Sequence, residues 1–357
     1  MQGDWLINST NIFVRRGTLG SVFIAISDYL NLSLLNFTAF MQLLIASATI
    51  ILTISSAIKI GITQRTLLLL IGPGFFIPFW SADSNGIFRK EIIAYLSFAI
   101  ILHAIHRKNI SVTQLILSMF IFICALLSHE GLIFLLPFYL FAVYFVYDNK
   151  NKKYFIIISV FLFFVCTSLL VNILPGIPQD VNPICSALTE RGADQVLCSG
   201  AIGTLTSKLQ MGVPYNISYY NFLKAYLISY LPILFYFFDG RKTKITYIIF
   251  FTATSLLFIP LYCIAVDWGR WISMNITALT YILLILKAKG FTTEPKAHYP
   301  IISFGIFLVC ISYGFQHQYT TPHDGIFTHF MKETDKIKIL TLKDQYFYLT
   351  RSGSKAD

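Results

Sequence analysis

Long apolar runs separated by short polar links recur from residue 36 to residue 315 of this 357-residue chain. No other feature constrains the fold as strongly. An apolar run of about 20 residues spans a bilayer as a helix, because every backbone polar group is then satisfied within the segment. The runs fall at residues 36–58, 66–80, 89–105, 112–127, 132–147, 154–174, 221–238, 245–265, 272–287 and 300–315. They predict an all-α, polytopic membrane protein with about ten transmembrane helices in a single membrane domain, residues 1–357. Segment 17–30 is less apolar and contains Asp28, so it predicts an interfacial or re-entrant helix. The stretch 112–147 is too long for one span, since about 36 residues of helix would reach about 54 Å against a hydrocarbon core of about 30 Å. A turn at Ser128-His129-Glu130-Gly131 divides it.

Composition agrees. Hydrophobic residues make up 56% of the chain and charged residues only 12%, too few for a soluble domain of this size. The 33 Phe and 20 Tyr suit interfacial aromatic belts. The net charge of +10 is explained by orientation rather than by a nucleic-acid partner. Alternate links (59–65, 106–111, 148–153, 239–244 and 287–296) carry 13 Lys and Arg, against 5 in the other set. The positive-inside rule places the first set in the cytoplasm. Both visible ends are then external, as are a large loop at 175–220 and a C-terminal tail at 316–357. No cleavable signal peptide is read in the polar first 16 residues. Cys185 and Cys198 share the large loop, where an oxidising compartment permits a disulfide. Cys124, Cys166, Cys263 and Cys310 lie in apolar runs and read as packing residues.

This topology gathers the unusual charges on one side. Arg15-Arg16-Gly17 opens the interfacial segment, where guanidinium forks and free N–H groups suit a phosphate and also anchor to lipid headgroups. Asp83 precedes Phe88-Arg89-Lys90-Glu91. Two cations at an external helix start oppose both the positive-inside bias and the helix dipole, which points to an anionic ligand or to snorkelling. Glu91 has Arg89 or Lys90 as an internal partner. His129 beside Glu130 suits a general base, and the alternative is a helix-capping polar turn that Ser128 and Glu130 alone could make. In Asp267-Trp268-Gly269-Arg270-Trp271, Gly269 permits a sharp bend, the Trp rings suit sugars or the interface, and Arg270 binds an anion or forms a latch with Asp267. Arg191, in the large loop, is a further candidate for glycan or diphosphate. His317, His323 and Asp324 in the tail are weaker ones. No nucleotide motif or zinc-type spacing is present, so neither a metal nor a cofactor is expected.

The series Asp4-Trp5, Asn11 to Gly17, Phe88-Arg89-Lys90-Glu91, Ser128-His129-Glu130 and Asp267 to Trp271 resembles bacterial O-antigen (Wzy-type) polysaccharide polymerases over most of the chain. The resemblance implies a GT-C-like membrane glycosyltransferase in the bacterial inner membrane. Such an enzyme transfers a glycan from undecaprenyl diphosphate to a lipid-linked repeat unit at the periplasmic face. Its partners would be that oligosaccharide, membrane lipids, a chain-length regulator and a flippase. Arg15, Arg16, Arg89, Lys90 and Arg270 would hold the diphosphate, with Asp83, Asp267 and Arg191 as further contacts. His129, assisted by Glu130, would activate the acceptor hydroxyl. Members commonly begin with a cytoplasmic N-terminus and a first helix, and this sequence departs from that pattern. A flippase-like transporter of lipid-linked oligosaccharide is the alternative. It would place charges near the bilayer midplane and show paired broken helices.

Overall fold

A computed structural model of the chain describes residues 2–83, 86–105, 111–146, 160–161, 163–165, 167, 178, 180–206, 219–237, 245–264, 267–291, 299–317 and 323–324. The chain is mostly helical. Its helices are α1 (Gln2–Trp5), α2 (Gly17–Tyr29), α3 (Leu34–Ile60), α4 (Gln64–Ile71), α5 (Phe76–Ala82), α6 (Glu91–Ile105), α7 (Val112–Ser128), α8 (Leu136–Val146) and α9 (Asn182–Thr189). They continue as α10 (Tyr219–Phe237), α11 (Ile245–Leu256), α12 (Ile259–Ile264), α13 (Trp268–Ala288) and α14 (Pro300–Ser312). Tyr313–Gly314 pairs antiparallel with His323–Asp324. Helices α3 to α8 and α10 to α14 fall on the apolar runs of the sequence, but the run expected as one helix at 245–265 is divided into α11 and α12, and most of the run at 154–174 lies outside the described residues.

Two helices form the centre. Helix α13 buries every residue from Gly269 to Leu286, and α6 buries all but Leu96 and His103. A helix apolar all round belongs in the interior of a bundle. Helices α3, α7, α8 and α13 pack on α6. The outer helices turn apolar side chains away from the protein. Phe40, Leu43 and Ile51 on α3, Ile116 and Phe120 on α7, and Ile301 and Phe304 on α14 are all exposed. Such faces suit lipid tails rather than water. Helices α3 and α13 are each long and apolar enough to cross a membrane. The pair α4–α5 makes a third candidate if it is one span bent by 42°.

That bend falls at the glycine and proline residues within the run at 66–80. Gly72-Pro73-Gly74 interrupts it, and Gly74 lies so close to α13 that a Cβ there would meet Ile276 at 2.9 Å. The turn expected near residue 130 is present as a 3₁₀ segment, Glu130–Leu135, between α7 and α8. Helix α2 has 13 residues, about 20 Å, and is too short to span.

The two ends of the bundle differ. At one end Lys287 donates to Gly61 O at 2.9 Å and to Thr66 Oγ1 at 2.7 Å, and Arg65 Nη1 donates to the carbonyls of Phe235 and Tyr236. This end gathers the described parts of links 59–65 and 287–296. The other end gathers the starts of α2, α6 and α13, the ends of α5 and α7, and residues 315–317. Over it lies the segment 180–206, closed by a Cys185–Cys198 disulfide with Cα atoms 5.8 Å apart. Asn8 and Asn11 hold this segment through the carbonyls of Ile184 and Pro183. Residues 207–218 of the large loop lie outside the described residues.

Candidate functional site

The N-terminal stretch builds one wall. Trp5 is fully buried, and its indole N–H donates to Phe88 O at 2.6 Å. This bond pins Asp4 beside the start of α6. Arg16, at the N-cap of α2, and Phe88, before Arg89, both adopt positive φ (66° and 56°). Left-handed backbone at non-glycine residues is costly and is found where surrounding contacts over-determine it. Here it turns neighbouring cations inward from two separate segments.

Five cations and four carboxylates then meet. Glu130 receives both fork nitrogens of Arg16, with Nε at 2.6 Å, and Arg15 stands 4.0 Å away. Arg89 reaches Asp267 at 3.6 Å, and Arg270 reaches the same oxygen at 3.3 Å. Arg270 also pairs with Glu91 and stacks its guanidinium 5.0 Å from the Trp271 ring. The local Glu91 pairing expected with Arg89 or Lys90 is therefore replaced by a long-range one. Lys90 is fully buried, donates to Ser128 O at 3.0 Å and stands 3.8 Å from Asp4. Burial pulls its ammonium down to about 8. Burial alone would raise the Asp4 carboxyl, but the surrounding cations, Lys90 first, hold it below the usual carboxylate range. Glu130 is held below that range in the same way, with Arg16 outweighing burial.

His129 is engaged in the turn at which it stands. Its Nδ1 accepts the Gly131 N–H at 3.0 Å, capping the 3₁₀ turn. A ring nitrogen that accepts has no free lone pair, and in neutral imidazole the proton then sits on Nε2. Burial, followed by the charge of Arg16, pushes the group down to about 4. In its neutral form the His129 ring is left with Nε2 as its donor.

A cavity of about 600 Å³ opens among these groups. Asp4, Arg16, Arg89, Asp267, Arg270 and His317 supply its charged and titratable lining, and residues 196–204 of the disulfide-closed segment supply another wall. Arg270 Nη2 is buried and has no hydrogen-bond partner among the described residues. Asp83 borders the cavity through His317, whose Nδ1 lies 2.6 Å from Asp83 Oδ2. The sequence reading placed His317 in a polar tail, whereas it is buried here. Arg191 does not join the cluster. Its guanidinium clamps Asp28, with contacts of 2.7 to 3.1 Å. The side chains of His323 and Asp324 lie outside the described residues. Among the described residues no group of three or more His, Cys, Asp or Glu is placed to hold a metal ion.

Fold and site together define a helical protein with helices suited to crossing a membrane and a cation-rich cavity at one end of the bundle. Comparison with family models, curated proteins and solved structures finds no match.

Proposed function

We propose that the chain is a membrane glycosyltransferase that polymerises oligosaccharide repeat units carried on undecaprenyl diphosphate, as the O-antigen polymerases it resembles do. In this reading it is a multi-pass protein of the bacterial inner membrane with about ten spans and a GT-C-like bundle. The cavity opens toward the periplasm, and a flippase and a chain-length regulator act beside it.

One observation carries the reading. Arg16, Arg89 and Arg270 come from three segments distant in sequence and line one cavity. Arginine forks match the paired oxygens of a diphosphate, and donors fixed in advance stabilise charge that develops on a leaving group. Glu130, Asp267 and Glu91 hold these forks. A diphosphate would compete for them and would also satisfy Arg270 Nη2. Trp271 is buried under the Arg270 guanidinium and fixes its place rather than offering a sugar-binding face.

A transporter of the same lipid-linked oligosaccharide is the second reading; it calls for two matching broken helices, of which the bent α4–α5 would be one. The discriminating experiment is complementation of a strain lacking the gene with Arg89→Gln and Arg270→Gln. The proposal expects the long-chain glycan ladder to collapse to single repeat units at normal protein levels. An unchanged ladder in both variants rules the site out.

A further inference from the structure

We infer that His317, oriented by Asp83, is the general base that takes the proton from the acceptor hydroxyl. The inference rests on the glycosyl-transfer reading and gives the reaction a base that His129 does not supply.

The geometry is that of an oriented imidazole. Asp83 is fully buried and accepts twice on one oxygen, from His317 Nδ1 at 2.6 Å and from the His317 backbone N–H at 3.0 Å. A ring nitrogen this close to a carboxylate carries the proton, so Nε2 keeps its lone pair. His317 lines the cavity that also holds Arg89, Arg270 and Asp267. The base and the proposed diphosphate grip therefore share one space.

Two glycines make room for the pair. At Gly86 a Cβ would come within 2.6 Å of Asp83 Oδ2. At Gly269 a Cβ would overlap Gln316 O and stand 3.1 Å from His317 Cα. The Gly269 N–H instead donates to His317 O at 3.1 Å. The glycine of the Asp267–Trp271 motif thus serves the close approach of residues 316–317, which brings a histidine far along the chain to the arginines.

The step balances without a further reactant. His317 Nε2 removes the hydroxyl proton as the acceptor oxygen bonds to the anomeric carbon of the donor. The bond from that carbon to the phosphate oxygen breaks, and undecaprenyl diphosphate leaves with the electron pair. The imidazolium, stabilised by Asp83, then releases its proton to the leaving diphosphate or to water.

The test uses the purified full chain and lipid-linked repeat units extracted from a strain lacking it. H317N keeps a donor for Asp83 and removes the base. Its kcat is expected to fall about 100-fold or more, with KM within about twofold of wild type. D83N is the second arm, in case H317N does not fold. Its kcat is expected to fall more than about 10-fold at unchanged KM, with D83E restoring part of the rate. A kcat within about threefold of wild type in H317N or D83N overturns the inference. If wild type polymerises and Arg270→Gln does not, that result leaves the transfer reading standing. A wild-type chain that makes no polymer overturns both.

Discussion

Arg16 and Glu130, 114 residues apart, hold each other through both carboxylate oxygens and tie the start of α2 to the end of α7. Both are largely shielded from water. Glu130→Gln keeps the shape and removes the charge. It should lower stability by about 1–3 kcal/mol, read as a fall in unfolding temperature in detergent. An unshifted midpoint would show that the pair contributes nothing to holding the two helices.

His129 gives a prediction that separates a cap from a base. His129→Asn retains a side-chain acceptor for the Gly131 N–H and should keep the glycan ladder. His129→Leu orphans that N–H and should cost about 1–3 kcal/mol. The pH dependence follows with its sign. The folded value of His129, about 4, lies below its ordinary 6.5, so the unfolded chain binds more protons between the two. Stability should therefore fall as pH drops from 6.5 to 4, and His129→Asn should flatten that slope. Asp4, Glu130 and Asp83, all held below their ordinary range, add a further loss at still lower pH. Equal slopes for wild type and His129→Asn would contradict the cap assignment.

The Cys185–Cys198 disulfide closes a short loop over the cavity. Replacing both cysteines by Ser should destabilise the protein by about 3 kcal/mol, the chain-entropy value for a loop of about this size. Limited proteolysis should then cut first within residues 182–206. Arg191→Ala should leave the ladder unchanged, because the Arg191 guanidinium is occupied by Asp28 rather than directed at the cavity.

Gly269→Ala places a methyl group against the returning chain at Gln316. The backbone must shift, at a cost of about 1–3 kcal/mol. His317 moves with it. Polymer formation should be lost while the protein still accumulates in membranes. Retained polymer in Gly269→Ala would show that 316–317 need not sit where they do.

The helices were legible because apolar runs and bilayer thickness leave few alternatives. The charged end was legible because Arg15, Arg16, Arg89, Lys90 and Arg270 are out of place on the side that the Lys and Arg count reads as external. Pairings close in sequence, Asp267 with Arg270 and Cys185 with Cys198, were legible, but the long-range ones were not. Glu91 has cations beside it in sequence, yet it meets Arg270 from another helix. His129 reads as a base in the sequence, and the bond its Nδ1 accepts from the Gly131 N–H is revealed only by the local turn. His317 follows the last apolar run, and nothing in its neighbours signals burial. The nearest signal was Gly269, whose need for close approach to another backbone could have pointed to a returning segment. The break at Gly72-Pro73-Gly74 was visible as glycine and proline, but its angle depends on packing against α13.

The most direct measurement is glycan polymerisation by the purified chain in vesicles supplied only with lipid-linked repeat units. Wild type should yield a ladder and release undecaprenyl diphosphate, and Arg270→Gln should yield neither. A wild-type chain that binds or moves the lipid-linked units without joining them, or an Arg270→Gln variant with a full ladder, would contradict the account.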